Sequence, residues 1–277
     1  MCAFLRSRFG DWERGFRMDS ITYVANAGVL LRIGGRKILV DALTAYPLSF
    51  YRATPEELRR QIIQGVPPFD GVDLMLVTHG HRDHFHGEST GKFLLHHPET
   101  AILSGEDVVA AIRDHVPGSV EGRLFAISQG GKTFVLNGVE VTAIPMRHAG
   151  REHERTPNTA FLIRCGLTVL CPGDAAPEAD NFQVPALEDC RIGVMVANFP
   201  YVGLPGAREM VLRHIRPGRM FVVHLPDPAF DEFGWTAAAK KAYARVRDVF
   251  VPAVFLEEPG VAAGMDGCVL PPVPGSR

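Results

Sequence analysis

The sequence predicts an α/β fold, and three observations carry that prediction. Short apolar runs of three to seven residues recur along the chain and alternate with segments of helical periodicity. Two neighbouring runs are joined by Gly34-Gly35 and two others by Asn137-Gly138, both strong hairpin signals. At 277 residues, 46% hydrophobic and 22% charged, the chain has ample material for a core. Layered α/β folds often use this length as one domain, so residues 20–277 are read as a single domain behind an N-terminal extension, residues 1–19.

The extension is Arg-rich and aperiodic, and no function is assigned to it. Strands are expected over residues 21–24, 29–33 and 37–40, the third ending in Asp41. Residues 42–51 read as a loop near that strand end, with Tyr46, Phe50 and Tyr51 placed to pack or to overhang a site. Thr54-Pro55-Glu56-Glu57 reads as a capping box opening a helix through Ile63. Residues 74–77 form a buried strand. Ser104-Gly105-Glu106-Asp107 opens a helix whose apolar positions are Val108, Ile112 and Val116. His96, His97 and His115 sit in polar or helical contexts and read as surface residues. A hairpin follows over 133–136 and 139–145, then strands over 161–163, 168–170 and 192–197, a helix over 207–215 and a strand over 220–223. Thr236 is expected to cap a last helix through Val249, before a strand over 251–255 and a Gly/Pro-rich tail.

Composition narrows the function classes. A formal charge of −2 and a pI near 6.6 disfavour nucleic acid and anionic membranes as partners. The cysteines, Cys2, Cys165, Cys171, Cys190 and Cys268, are odd in number and lack Cys-x-x-Cys spacing, against a disulfide framework or a structural cysteine–zinc site. No stretch approaches the roughly 18 apolar residues of a membrane span, and the N-terminus lacks the apolar segment of a signal peptide. A cytoplasmic protein acting on a small molecule is the expectation, and a homo-oligomer is compatible with it.

The segment Thr78-His79-Gly80-His81-Arg82-Asp83-His84-Phe85-His86-Gly87 holds four of the chain's eleven histidines directly after the strand at 74–77. Neutral imidazole and carboxylate suit a borderline cation such as Zn²⁺, and a buried imidazole cluster without metal or partners would be costly. His79 and His81 can chelate one ion from an extended loop. Asp83 and His84 point in different directions and can serve a second. His148, Asp174 and His224 each lie at the end of another apolar strand.

The order His-x-His-x-Asp-His, then His148, Gly173-Asp174 and His224, resembles the ligand motifs of the metallo-β-lactamase superfamily over about residues 20–256. The resemblance implies a four-layer αβ/βα sandwich. It places one metal on His79, His81 and His148, a second on Asp83, His84 and His224, and Asp174 as the bridge. Asp41 is then a group behind the ligands. Two Zn²⁺ per chain are implied, and the bridging carboxylate also suits Mn²⁺ or Fe. The subgroup most resembled is that of the ascorbate-6-phosphate lactonase-like hydrolases. The activity implied is a dinuclear metal-dependent hydrolase using a metal-bridging hydroxide on a small ester, lactone or phosphoester, with Asp83 and Asp174 as catalytic ligands. His86, His153 and Tyr201 are candidates for contacting substrate, and Arg147 and Arg151 flank His148. A phosphodiesterase or nuclease on the same site, or a non-catalytic metal sensor, are the alternatives.

Overall fold

The computed structural model describes residues 19–128 and 131–270. The expected N-terminal extension lies outside them apart from Asp19. In the strand Leu74–Val77 every residue is buried, yet its side chains divide between two cores. Leu74 and Leu76 enter the core between two sheets, whereas Met75 and Val77 enter one beneath helices. Side chains alternate across a strand, so a strand apolar at every position has to be covered on both faces.

The first sheet contains β1 (Ser20–Ala25), β2 (Gly28–Ile33), β3 (Arg36–Val40), β4 (Leu74–Val77), β5 (Ala101–Gly105) and β6 (Leu124–Ile127). Its strands pair antiparallel from β1 to β3 and parallel from β3 to β6. The second contains β7 (Lys132–Leu136), β8 (Val139–Pro145), β9 (Thr159–Cys165), β10 (Leu167–Cys171), β11 (Val194–Asn198), β12 (Arg219–Val223) and β13 (Ala253–Phe255). It too begins antiparallel, through β10, and continues parallel. β14 (Ala262–Gly264) returns to pair with β1. Val29, Leu31 and Ile38 of the first sheet meet Val141, Phe161 and Phe221 of the second in the central core. Helices α1 (Glu56–Gln64), α2 (Gly87–His96) and α3 (Glu106–Arg113) cover the outer face of the first sheet through Ile62, Phe93 and Val109. The outer face of the second is covered by α4 (Ala179–Phe182), α5 (Pro200–Gly203), α6 (Pro205–Met210) with its continuation Val211–Ile215, and α7 (Trp235–Ala244). These layers are the expected αβ/βα sandwich. No helix among the described residues is long and apolar enough to cross a membrane.

Several local expectations are corrected. Thr54 does not cap α1: its hydroxyl donates to Ala42 O and receives Thr44 N, which ties the two ends of the intervening loop together. α7 is capped by Asp231, whose carboxylate accepts from the backbone N–H of Trp235 and Thr236, so the Thr236 side chain is not the cap. His97 is buried rather than exposed, stacked on Phe93 and bonded through Nε2 to Ile62 O. α2, β5, β6 and β14 are elements that the sequence pattern did not announce.

Candidate metal centre

Strand ends from both sheets converge at one edge of the sandwich, the position where open α/β sheets bind their ligands. There β1 delivers Asn26, β3 Asp41, β4 Thr78 and His79, β10 Asp174, β11 Asn198 and β12 His224. Asn26, Asp41 and His224 have left-handed backbones, with φ of 48°, 46° and 56°. Each such residue costs about 1–3 kcal/mol and persists only where surrounding contacts over-determine it. They do so here: His224 N donates to Asn26 O at 2.8 Å, and Asp41 N to Leu76 O at 3.1 Å.

Two groups of donor atoms result, one of His79, His81, His148 and Asp174, the other of Asp83, His84 and His224, with atoms within 4.8 Å of one another in each. In the first, His79 Nε2 lies 3.1 Å from His81 Nδ1 and 3.9 Å from Asp174 Oδ2, and His148 Nε2 is 3.6 Å from the same oxygen. In the second, His84 Nε2 lies 3.0 Å from His224 Nε2, and Asp83 Oδ2 is 3.8 and 3.4 Å from those two nitrogens. Asp174 turns its other oxygen, Oδ1, to this second group, 3.2 Å from His84 and 3.5 Å from His224. One carboxylate thus faces both groups, one oxygen to each.

Hydrogen bonds behind the imidazoles decide which ring nitrogen holds the proton. Asp41 Oδ1 accepts Thr78 N at 2.8 Å, and Oδ2 accepts both the Thr78 hydroxyl at 2.7 Å and His84 Nδ1 at 2.9 Å. A carboxylate has no hydrogen to give, so His84 carries a hydrogen at Nδ1, and Nε2 is the nitrogen it turns to the second group. The Thr78 hydrogen is already spent on Asp41, so its oxygen, 3.0 Å from His79 Nδ1, accepts from that nitrogen. His79 therefore also presents Nε2. His148 Nδ1 donates to Ala149 O at 2.6 Å, with the same consequence. A single buried aspartate orients one histidine in each group, the arrangement that metal-binding histidines need from their surroundings.

These donors fit a cation. His148 Nε2 and Asp83 Oδ1 are buried with no hydrogen-bond partner. Such orphans are costly unless something else meets them. A tetrahedral Zn²⁺ with ligands at about 2.0–2.1 Å sets them about 3.3 Å apart, comparable with the spacings above.

Electrostatics agree. Burial, then the neighbouring His84, holds His79 well below the usual imidazole range; burial, then His148, lowers His81. Burial also lowers His148. Burial alone would raise the carboxyls of Asp83 and Asp174, but the imidazoles of His84 and His224 outweigh it and both lie below the ordinary range. Burial likewise opposes a proton on His84, yet Asp174 and Asp41 on its two sides hold one firmly. A divalent cation competes for that same proton.

The remaining sequence candidates divide. His153 sits at the rim, 4.8 Å from the His81 ring and 5.1 Å from that of His148, with 42% of its side chain exposed. His86 turns away: its Nδ1 caps α2 at Ser89, and its ring meets Tyr46. Tyr201 is buried behind Asp174 with its hydroxyl donating to Ala175 O at 2.8 Å, so it packs rather than reaching a substrate. Arg147 pairs with Glu178 at the surface, and Arg151 is exposed. Two residues with no local signal, and one of the three aromatics of the loop at 42–51, belong to the site. Asn26 Nδ2 donates to Asp83 O and Oδ2, Asn198 Nδ2 donates to Asp174 Oδ1 at 2.7 Å, and the ring of Tyr51 packs edge-on against His224 at 4.0 Å.

The family profile of the beta-lactamase superfamily domain matches residues 20–211. The chain belongs to the metallo-β-lactamase superfamily. Among curated proteins it is 28% identical over 214 residues to a metal-dependent hydrolase of Rubrobacter xylanophilus, covering 71% of this chain and 79% of that one. A metal-dependent hydrolase of Aeropyrum pernix is 31% identical over 144 residues, 48% of this chain and about half, 52%, of the relative's length. Among solved structures, the metallo hydrolase Igni18 of Ignicoccus hospitalis superposes with a TM-score of 0.57 at 16% identity, over 89% of this chain and 97% of its own, a likeness of fold.

Proposed function

We propose that this superfamily member is a dinuclear metal-dependent hydrolase of a small ester, lactone or phosphoester. The observation that carries the reading is Asp174, whose two oxygens face two separate groups of imidazole and carboxylate donors. His79, His81 and His148 would hold one cation, Asp83, His84 and His224 the other, with Asp174 shared. Cations bound there would polarise a carbonyl or phosphoryl oxygen and make water a nucleophile at neutral pH. The protein supplies the rest. Asp41 fixes the Nδ1 hydrogen of His84 and, through Thr78, that of His79, so that Nε2 of each is the nitrogen turned to the cation; Asn198 fixes the orientation of Asp174, and Asn26 that of Asp83. His153, at the open rim, is placed to contact the substrate. The donor set of imidazole and carboxylate suits Zn²⁺, and equally Mn²⁺ or Fe. The hydrolase names of the two curated relatives support the reaction class.

Metal content after purification without chelator tests the proposal, compared between the wild type and Asp174→Asn. About two metals per chain, falling sharply in the variant, together with turnover of an ester, lactone or phosphodiester probe by the loaded wild type, is the expected result. One metal or none after reconstitution would overturn the bridged site. Two metals with no turnover of any probe would favour the non-catalytic sensor.

A further inference from the structure

The loop between β3 and α1 sets against His224 one side chain whose polar atom is unspent. Leu48 and Tyr51 exchange both backbone hydrogen bonds, at 3.1 and 2.9 Å, across a turn in which Ser49 is left-handed with φ 54°. That turn is pinned to the segment after His224: Asp227 N donates to Phe50 O at 2.8 Å, and Arg52 pairs with Asp227 at 3.2 Å. Phe50 in turn packs edge-on against Trp235 at the start of α7. The outcome is a fixed Tyr51 with its ring on His224.

Its hydroxyl makes no hydrogen bond among the described residues. Tyr201, by contrast, spends its hydroxyl on Ala175 O. Tyr51 is half-buried, and a phenol with no protein partner, on a ring fixed against His224, keeps its donor available to whatever enters beside the ligands.

We infer that the Tyr51 hydroxyl is a substrate-facing hydrogen-bond donor, serving an oxygen of the substrate held beside His224, Asp83 and Asp174. The inference rests on the metal-hydrolase reading. In the hydrolysis of an ester, lactone or phosphoester, negative charge grows on oxygens of the reacting centre, and a preorganised donor binds them more tightly as it grows. The phenol acts as a donor, with its ring packed on His224.

The test compares wild type, Tyr51→Phe and Tyr46→Phe, each loaded with Zn²⁺. Tyr46 is a phenol of the same loop that is 61% exposed and meets His86 instead. Three quantities are read: metal per chain, affinity for inorganic phosphate by calorimetry, and kcat and KM on p-nitrophenyl acetate and bis(p-nitrophenyl) phosphate. Expected for Tyr51→Phe are unchanged metal content, phosphate affinity about tenfold weaker or more, and kcat on the hydrolysed probe down about 100-fold with KM within about threefold. Tyr46→Phe should match the wild type in all three. Phosphate affinity and kcat of Tyr51→Phe equal to wild type would overturn the inference, as would a loss of metal that makes Tyr51 a packing residue for His224. Metal-loaded wild type that binds no phosphate and turns over neither probe would overturn it too. Wild type that holds no metal would instead sink the hydrolase reading beneath it.

Discussion

Asp41→Asn separates a group that orients ligands from one that merely fills space. Thr78 N donates to Asp41 Oδ1, so the asparagine oxygen stays there; the flipped amide would set one donor against another. The amide NH₂ then occupies the place of Oδ2, 2.7 Å from the Thr78 hydroxyl and 2.9 Å from His84 Nδ1. Both must now accept. His84 moves its proton to Nε2, which faces Asp174 Oδ1 and His224. The Thr78 hydroxyl turns its hydrogen to His79 Nδ1, 3.0 Å away, and drives that proton to Nε2 as well. One substitution, with no atom of any ligand changed, thus disables a donor in each group. Loss of such a supporting partner typically costs 10–100-fold in metal affinity, so both cations should bind about 10–100-fold more weakly. The assay is Zn²⁺ competition against a chromophoric chelator, with circular dichroism to verify the fold. Thr78→Val removes only the arm to His79, so its loss should be confined to the group of His79, His81 and His148. Asp41→Asn binding both cations within about threefold of wild type would refute the tautomer argument.

Three further outcomes follow from the same structure. Gly173 has φ 60°, and a Cβ there would lie 2.5 Å from Asn158 Oδ1 and 2.7 Å from Thr78 Cβ. Gly173→Ala should therefore cost about 1–3 kcal/mol and lower Tm by about 3–10 °C in a thermal melt, with metal content reduced because Asn158 also receives Asp174 N. Tyr201→Phe leaves Ala175 O without its partner, costing about 1–3 kcal/mol by denaturant titration while metal content and probe turnover stay at wild-type levels. Removing metal with a chelator should lower Tm by roughly 10 °C, reversed by Zn²⁺, since a ligand at about 1,000 times its Kd adds about 4 kcal/mol. An unchanged melt would speak against cations held in the native site.

The legible parts of this molecule were those written in contiguous residues. Strand runs such as 74–77 and 139–145 are apolar because they are covered on both faces or paired in a hairpin, and the polar residue at each end stands out against them. α2 was not legible because Gly87, Ser89, Thr90 and Gly91 are weak helix formers. That helix exists through packing, with Phe93 and Leu94 in the core and Gly91 so close to His115 that a Cβ would lie 2.9 Å from its Cβ. Thr236 looks like a cap in sequence, but Asp231, brought round by a turn, reaches the same N–H groups first. Asn26 and Asn198 carry no signal in the sequence because their partners, Asp83 and Asp174, are distant in the chain. Tyr51 was visible only as one aromatic among three on a loop. What distinguishes it from Tyr46 and Phe50 is contact with His224, 173 positions further on.

The central claim is that Asp174 joins two cations in one site. Mn²⁺-loaded protein examined by electron paramagnetic resonance tests it directly, because two Mn²⁺ about 3.5–4 Å apart and bridged are spin-coupled. The account predicts uptake of about two Mn²⁺ per chain with a coupled multiline spectrum that Asp174→Asn abolishes. A six-line spectrum of isolated Mn²⁺ at full loading, unchanged in Asp174→Asn, would contradict it.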